Sequence, residues 1–285
     1  GATSHDVHID KLLSEMAINY RPEGFIADQI FPMVMVDKQS DLYAVYDRRD
    51  VLTRQPTGRA PGVPARQITR DVGSALFFCP NYALAYPVTI EDRKNADPIH
   101  IAGLYDRGAE YCLDHLLLDW EARVAYQCTS GTNVGSSSAV ASGWGGSGAN
   151  PLADVNQAID NVTLSNGVKP SDIAFGWEAW KSFRRNDTVR NLIFGTNNGG
   201  GYPSEAQAAA LLDVKRVHIG GGFINTADAG LSESLRTIWR DNVLVFYRPD
   251  SPTIERPSFA YSFRWNARGW PNMQVERHPY DSRAK

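Results

Sequence analysis

The feature that most constrains the fold is a helical pattern of unusual length. From Asp97 to about Cys128, the residues Tyr105, Ala109, Cys112, Leu116, Trp120, Val124 and Cys128 recur at steps of three or four, the period of one helix face. Asp106, Arg107, Glu110, Asp114, Glu121 and Arg123 fill most of the other faces, as expected of an amphipathic helix. Asp97 suits the N-cap and Pro98 the first helical position. About 31 residues span roughly 46 Å, well beyond the average globular helix. Such a helix requires a flat or elongated body to lie along.

A second feature sets a different demand. Arg48 to Arg70 reads RRDVLTRQPTGRAPGVPARQITR, with six arginines, one aspartate, three prolines and two glycines. It is too polar for a core and too long for a turn, and unpatterned loops of this length are usually functional or disordered. Strand-like segments flank it: DLYAVYDRRDVLT before it and ALFFCPNYALAYPVTI after it. Together they form a long two-stranded excursion, marginal alone in water and needing a neighbour. Three readings apply to the arginines. A nucleic-acid contact lacks interleaved aromatics, and the chain of 285 residues carries a formal net charge of −3 rather than a basic excess. A disordered linker leaves the flanking strands unexplained. An intersubunit arm that pairs with acidic groups on a neighbour accounts for both, and arginine suits such pairs.

Elsewhere the chain is 42% hydrophobic, enough for a sizeable core in one or two domains. IDKLLSEMAINY reads as a short amphipathic helix with Ile9, Leu12, Leu13 and Met16 on one face, ended by Arg21-Pro22. GFIADQIFPMVMV reads as an extended arm against something apolar, with a strand at Val34 to Val36. The Gly/Ser-rich run from Gly131 to Pro151 marks a subdomain boundary. Alternating helices and strands follow: LADVNQAIDNV, IAFG, WEAWKSFRR, EAQAAALLDV capped by Ser204, KRVHIGG and NVLVFYRP. In PSFAYSFRW, alternation puts Phe259, Tyr261, Phe263 and Trp265 on one strand face.

Catalytic signatures are absent from the sequence: it has no GxSxG, HExxH or GxxxxGK[ST]. The glycine-rich runs after Gly131 and Gly195 lack the lysine of a phosphate loop. Cys112 and His115 share a helix face at a ligand-type spacing, but no second pair accompanies them, which favours a structural role over a metal site. The three cysteines form no CxxC pair, and Cys112 and Cys128 would stand roughly 24 Å apart on one helix, so buried free thiols in a reducing compartment are expected. The seven tryptophans suit core and interface better than ligand binding. No apolar run approaches the roughly 18 to 20 residues of a membrane span. The N-terminus lacks the layout of a secretory leader.

The order of these segments resembles the major capsid proteins of tailed bacteriophages with the Hong Kong 97-type fold. The resemblance rests on NYRPEGFIADQIFPMVMVDKQSDLYAVYDRRD near the N-terminus. It continues in PSDIAFGWEAWKSFRRNDTVRN, SEAQAAALLDVKRVHIGGGFINTA and SLRTIWRDNVLVFYRPDSPTIERPSFAYSFRW. It implies an α+β fold in four parts. These are an N-terminal arm (1–34), an extended β-hairpin loop (35–78), a peripheral domain with a long spine helix (79–150 and 252–285) and an axial α/β domain (151–251). It implies that the loop lies over a neighbouring subunit, making Arg48, Arg49, Arg54, Arg59, Arg66 and Arg70 intersubunit contacts. The implied function is a non-enzymatic shell subunit that self-assembles as hexamers and pentamers into an icosahedral head around double-stranded DNA. The expected partners are further copies of the chain, scaffolding and portal proteins and a decoration protein, with no cofactor, metal or membrane. The expected place is the virion, assembled in the host cytoplasm. Either a cleaved scaffolding segment or a separate scaffolding protein is implied. The loop tip has no lysine, Lys38 being the nearest on its N-terminal side, so no covalent crosslink through the tip is expected. The rival readings are an encapsulin-like nanocompartment shell, which shares the fold, and, from another class, a small-oligomer hydrolase using scattered carboxylates or His115.

Overall fold

The computed structural model describes residues 8–9, 22–46, 52–69, 71–96, 101–140, 143–146, 148–195, 201–228, 230–253, 256, 258–266 and 275–277. In chain order these hold β1 (His8–Ile9), α1 (Ala27–Ile30), β2 (Met33–Val36), β3 (Ser40–Tyr46), β4 (Val72–Phe78), α2 (Ile90–Asn95) and the long helix α3 (Ile101–Thr129). Then come α4 (Pro151–Asn166), β5 (Asp172–Gly176), α5 (Trp177–Arg185), α6 (Asp187–Phe194), α7 (Glu205–Leu211) and β6 (Arg216–Gly220). The chain ends with β7 (Phe223–Asn225), β8 (Leu235–Thr237), β9 (Val243–Phe246), β10 (Ser262–Trp265) and β11 (Glu276–Arg277). The result is a mixed helix-and-sheet fold.

A three-stranded sheet of order β6-β5-β9 organises the C-terminal half, with β6 parallel and β9 antiparallel to the central β5. Strand alternation divides its side chains between two cores. Ile173, Phe175 and Val217 point into a cluster with Val155, Ile159, Trp180, Phe183, Val189, Ala208 and Leu212, supplied by α4 to α7. Ala174, Leu244 and Phe246 face the other way, where Ile26, Ala27 and Ile30 of the α1 segment and Val124, Ala125 and Cys128 of α3 cover them together with Trp239. The sheet is thus sandwiched between a helical layer and the α1–α3 pair. Two glycines permit this closeness. A Cβ on Gly176 would lie 2.1 Å from the Arg240 carbonyl oxygen, and one on Gly220 would lie 2.3 Å from Trp239 Cδ1.

Local sequence accounts for the helix ends. Asn150 caps α4 by accepting from the Ala153 N–H, and Gly167, at φ +68°, closes it. Asn186 caps α6. Ser204 and Gln207 form a reciprocal capping box at α7. Long-range pairing then draws the chain ends together, with β2 parallel to β10 and β1 antiparallel to β11.

The structure departs from the sequence reading in several places. Ile9, read as helical, lies in β1, and the remainder of the expected N-terminal helix (10–20) is outside the described residues. The segment read as an extended arm contains α1, because Ile26, Ala27 and Ile30 are buried together by one helical turn. In the last aromatic segment only Ser262 to Trp265 join a ladder, and Phe259 instead packs on Phe31 and Phe246. The long helix runs as read, over 29 described residues. However, its fully buried face is Leu113, Leu117, Glu121, Val124, Ala125 and Cys128, with Cys112, Leu116 and Trp120 only half-buried. A glutamate occupies the centre of the buried face, which displaced the expected stripe by about one residue. Asp97 and Pro98 lie outside the described residues.

Candidate intersubunit surface

β3 and β4 pair along seven residues, from Ser40 opposite Phe78 to Tyr46 opposite Val72. Alternation along such a ribbon gives it two faces. On one, Tyr43 and Phe77 bracket Phe263 of β10, with ring centroids 5.4 and 4.8 Å from it. The base is pinned by Gln39 Nε2 donating to the Cys79 carbonyl (3.1 Å) and by Cys79 Sγ donating to the Phe263 carbonyl (3.5 Å). On the other face Leu42, Leu76 and Phe78 are 62%, 69% and 63% exposed. Leu42 stands directly opposite Leu76, so these side chains form one contiguous apolar stripe. Such a stripe, rimmed by polar chain, is characteristic of an interaction surface.

In the described part of the connection between the strands, residues 52–69, Arg54, Arg59 and Arg66 are all exposed. Among the described residues these three make no ion pair. Arg48, Arg49 and Arg70 lie outside the described residues. Leu52 rests against Gly167 of the same chain, where a Cβ would come within 2.8 Å of Leu52 Cδ1. The structure therefore brings three of the six expected arginines onto one exposed loop.

Beyond the ribbon, residues 80–89 run back along α3. The Arg123 guanidinium lies 3.8 Å from the Tyr82 ring centroid, and Tyr86 meets Tyr111 edge-on at 5.8 Å. Tyr111 in turn meets His115 edge-on at 4.6 Å. His115 is thus a ring partner of tyrosine. Among the described residues no group of three or more His, Cys, Asp or Glu is placed to hold a metal. All three cysteines are free thiols, and burial beside Glu121 pushes the Cys128 thiol up to about 12. Among the described residues no helix is long and apolar enough to cross a membrane.

Two buried carboxylates hold this frame, and the sequence reading assigned a role to neither. Glu121, 1% exposed, accepts the Ile26 N–H (2.9 Å) and the Trp239 indole N–H (2.6 Å) on Oε1, and the Ala27 N–H (2.8 Å) on Oε2. Burial raises its pKa above the ordinary glutamate range, against the pull of these three donors. Asp172, also fully buried, receives Arg216 Nε (2.7 Å) and Nη2 (3.1 Å) and the Ser171 hydroxyl, and His218 Nε2 lies 2.9 Å away. Burial alone would raise its pKa, but His218, Arg216 and Ser171 together hold it well below the usual carboxylate range. His218 Nδ1 faces Gln29 Oε1 at 2.6 Å, so both carboxylates end on the α1 segment. The partners are distant in sequence, and nothing in the local pattern announces them.

Comparison with known proteins gives a consistent direction. No protein-family model matches the chain. The chain is 26% identical over 265 residues to the major capsid protein of Pseudomonas phage JBD67, covering 91% of this chain and 84% of that one. It is 19% identical over 262 residues to the major capsid protein of Burkholderia phage BcepMu, covering 90% and 83%. Its fold is similar to the crystal structure of a phage-related protein from Bordetella bronchiseptica RB50, with a TM-score of 0.68, 20% sequence identity and coverage of 90% and 83%. The chain thus resembles phage major capsid proteins over nearly its whole length, as its sequence pattern implies.

Proposed function

We propose, from this likeness to phage major capsid proteins along about nine-tenths of the chain, that the chain is the shell subunit of a tailed bacteriophage head. In this reading it adopts the Hong Kong 97-type fold and self-assembles through hexamers and pentamers into an icosahedral shell around double-stranded DNA. The observation that carries the proposal is the match to two proteins named as major capsid proteins along about nine-tenths of the chain. The proposed parts are the arm (1–34), the extended loop (35–78), the peripheral domain with α3 as its spine (79–150 and 252–285) and the axial domain (151–251). The work is mechanical: many weak, repeated contacts between copies sum over a closed lattice. No catalytic residue, cofactor or metal enters it.

The ribbon is the proposed lattice contact. Its inner face is held by Phe263, so its outer stripe of Leu42, Leu76 and Phe78 is free to meet a neighbouring copy. Fully burying a side chain of this size stabilises by about 1.5–3 kcal/mol, of which association costs leave only part. Arg54, Arg59 and Arg66, with Arg48, Arg49 and Arg70, supply the charged rim and pair with acidic groups of that neighbour. Scaffolding, portal and decoration proteins are the proposed further partners. The virion, assembled in the host cytoplasm, is the proposed place, and a net charge of −3 suits a wall along which DNA must pack without sticking.

The test is negative-stain electron microscopy and a sizing column, applied to the full chain and to a deletion of Arg54 to Arg66. Closed shells or flat capsomers are expected from the full chain, and a folded subunit without closed shells from the deletion. Normal shells from the deletion refute the loop contact. A monodisperse monomer or dimer from the full chain, with crowding or a scaffold present, refutes the shell itself. Particles loaded with an enzyme rather than DNA would indicate a nanocompartment.

A further inference from the structure

A second cationic surface, unlike the arginine loop, is interleaved with aromatic rings. Helix α5 buries Ala179, Trp180 and Phe183 against the sheet. Along its outer flank Trp177, Lys181 and Arg185 recur every four residues, with Arg184 one turn beyond Lys181. Arg190 follows on α6. The segment 177–190 thus carries four cations against two carboxylates, Glu178 and Asp187, in a chain whose net charge is −3. Both carboxylates are engaged: Glu178 Oε1 accepts from the Thr237 hydroxyl at 3.1 Å, and Asp187 Oδ1 pairs with Arg190 Nη1 at 3.4 Å. Among the described residues Lys181, Arg184 and Arg185 make no ion pair.

A groove and a ring adjoin this flank. Trp180 and Arg184 of α5 face residues 203–206 across an open groove of about 350 Å³. Glu205 stands on the α7 side of the groove, which leaves the α5 side as the path for an anion. Tyr202, next to the groove, is exposed, and its ring centroid lies 4.8 Å from the Arg184 guanidinium and 5.8 Å from that of Arg190. Packing on a ring face holds a guanidinium in place without neutralising it, so the charge stays available.

We infer that this flank of α5, together with Tyr202, is a contact for the phosphodiester chain of a nucleic acid. Lys181, Arg184 and Arg185 take phosphate oxygens, and the two guanidinium forks match them bidentately. Trp177 and Tyr202 offer ring faces to bases, the combination of cations and aromatics by which nucleic-acid grooves hold a strand. An acidic peptide would use the cations but has no need of the rings. Three phosphate contacts make a weak, salt-released interaction, compatible with a wall along which DNA moves. The inference deepens the shell reading, and naming packaged DNA as the ligand rests on that reading; the contact itself belongs to the single chain.

The test is fluorescence anisotropy of a labelled single strand and the matching duplex, each of about 20 nucleotides, titrated with the purified full chain between about 50 and 200 mM salt. The slope of log affinity against log salt should be about −2 for the single strand and −3 for the duplex, as three phosphate contacts give. Lys181→Gln with Arg185→Gln removes two side chains that no partner holds in the fold, and should bring both slopes to about −1 or shallower. Tyr202→Leu should weaken the single strand about tenfold and leave the duplex within about twofold. Arg54→Gln, Arg59→Gln and Arg66→Gln combined on the loop should change neither slope. Absence of binding at the lowest salt overturns the inference. So does binding that the loop variant abolishes and the α5 variant keeps, or polyglutamate that displaces both probes as well as unlabelled DNA does. A chain that forms shells without this binding refutes only the contact, and a chain that binds but never assembles refutes only the shell.

Discussion

Replacing Asp172 by asparagine removes one negative charge at constant volume from the fully buried start of β5. The side chain gathers Arg216 from β6 through two hydrogen bonds of 2.7 and 3.1 Å, His218 at 2.9 Å and the neighbouring Ser171 hydroxyl. Breaking a buried ion pair from one side costs about 3–5 kcal/mol, because the surviving charge is left uncompensated. Here the surviving charge is better placed: the Arg216 side chain is 33% exposed and its Nη2 lies 3.4 Å from Asp250. The expected loss is therefore about 2–4 kcal/mol, or a fall in Tm of roughly 3–7 °C for a chain of this size. Urea unfolding of the purified chain measures it, with Asp213→Asn as control, since the Asp213 side chain is 89% exposed in its pair with Lys169 and such pairs contribute about 0–1 kcal/mol. The pH dependence carries a definite sign. The folded-state pKa of Asp172 is depressed, so its contribution is present above the ordinary carboxylate value of about pH 4 and lost as pH falls toward the lower folded value. The gap between wild type and Asp172→Asn should close in acid, as pH falls below the ordinary carboxylate value of about 4. A loss below about 1 kcal/mol at pH 7, or a gap that widens in acid, refutes the reasoning.

Three further outcomes are expected. Gly176→Ala should abolish soluble subunit or cost more than about 3 kcal/mol in urea unfolding, because the new Cβ would sit 2.1 Å from a backbone oxygen that cannot swing aside. A thiol reagent at pH 8 should leave Cys128 unlabelled in the native chain and label it fully in urea, since its thiol is buried and pushed up to about 12; peptide mapping reads the difference. Leu42→Glu with Leu76→Lys, opposite charges on directly opposed residues, should change subunit stability by less than about 0.5 kcal/mol, as exposed positions do, yet prevent large assemblies on a sizing column.

Some of this architecture was legible in the sequence and some was not, for identifiable reasons. The long helix, β5, α5, the α7 capping box and the two ribbon strands each declare themselves through local periodicity or a cap. α2 was passed over because IEDRKN has no apolar period, although Thr89 and Asp92 already spelled its cap. The β7–β8 hairpin was missed because its strands are three residues each and separated by a long connection. The buried face of α3 was misjudged because Glu121 was assigned to solvent on polarity alone, whereas tertiary donors from Ile26, Ala27 and Trp239 draw it inside. The Asp172–Arg216–His218 cluster depends on β5 pairing with β6, and no local pattern encodes that register. The arginines of the loop were visible as composition. The exposed stripe of Leu42, Leu76 and Phe78 needed the register of the ribbon before its side chains could be put on one face.

The most direct test of the central claim is a cryo-electron microscopy reconstruction of whatever particles the purified chain forms. The account predicts a closed icosahedral shell in which the outer face of β3–β4 and the loop carrying Arg54, Arg59 and Arg66 lie on an adjacent copy. A small closed oligomer, or a shell in which that ribbon touches only its own subunit, would contradict it.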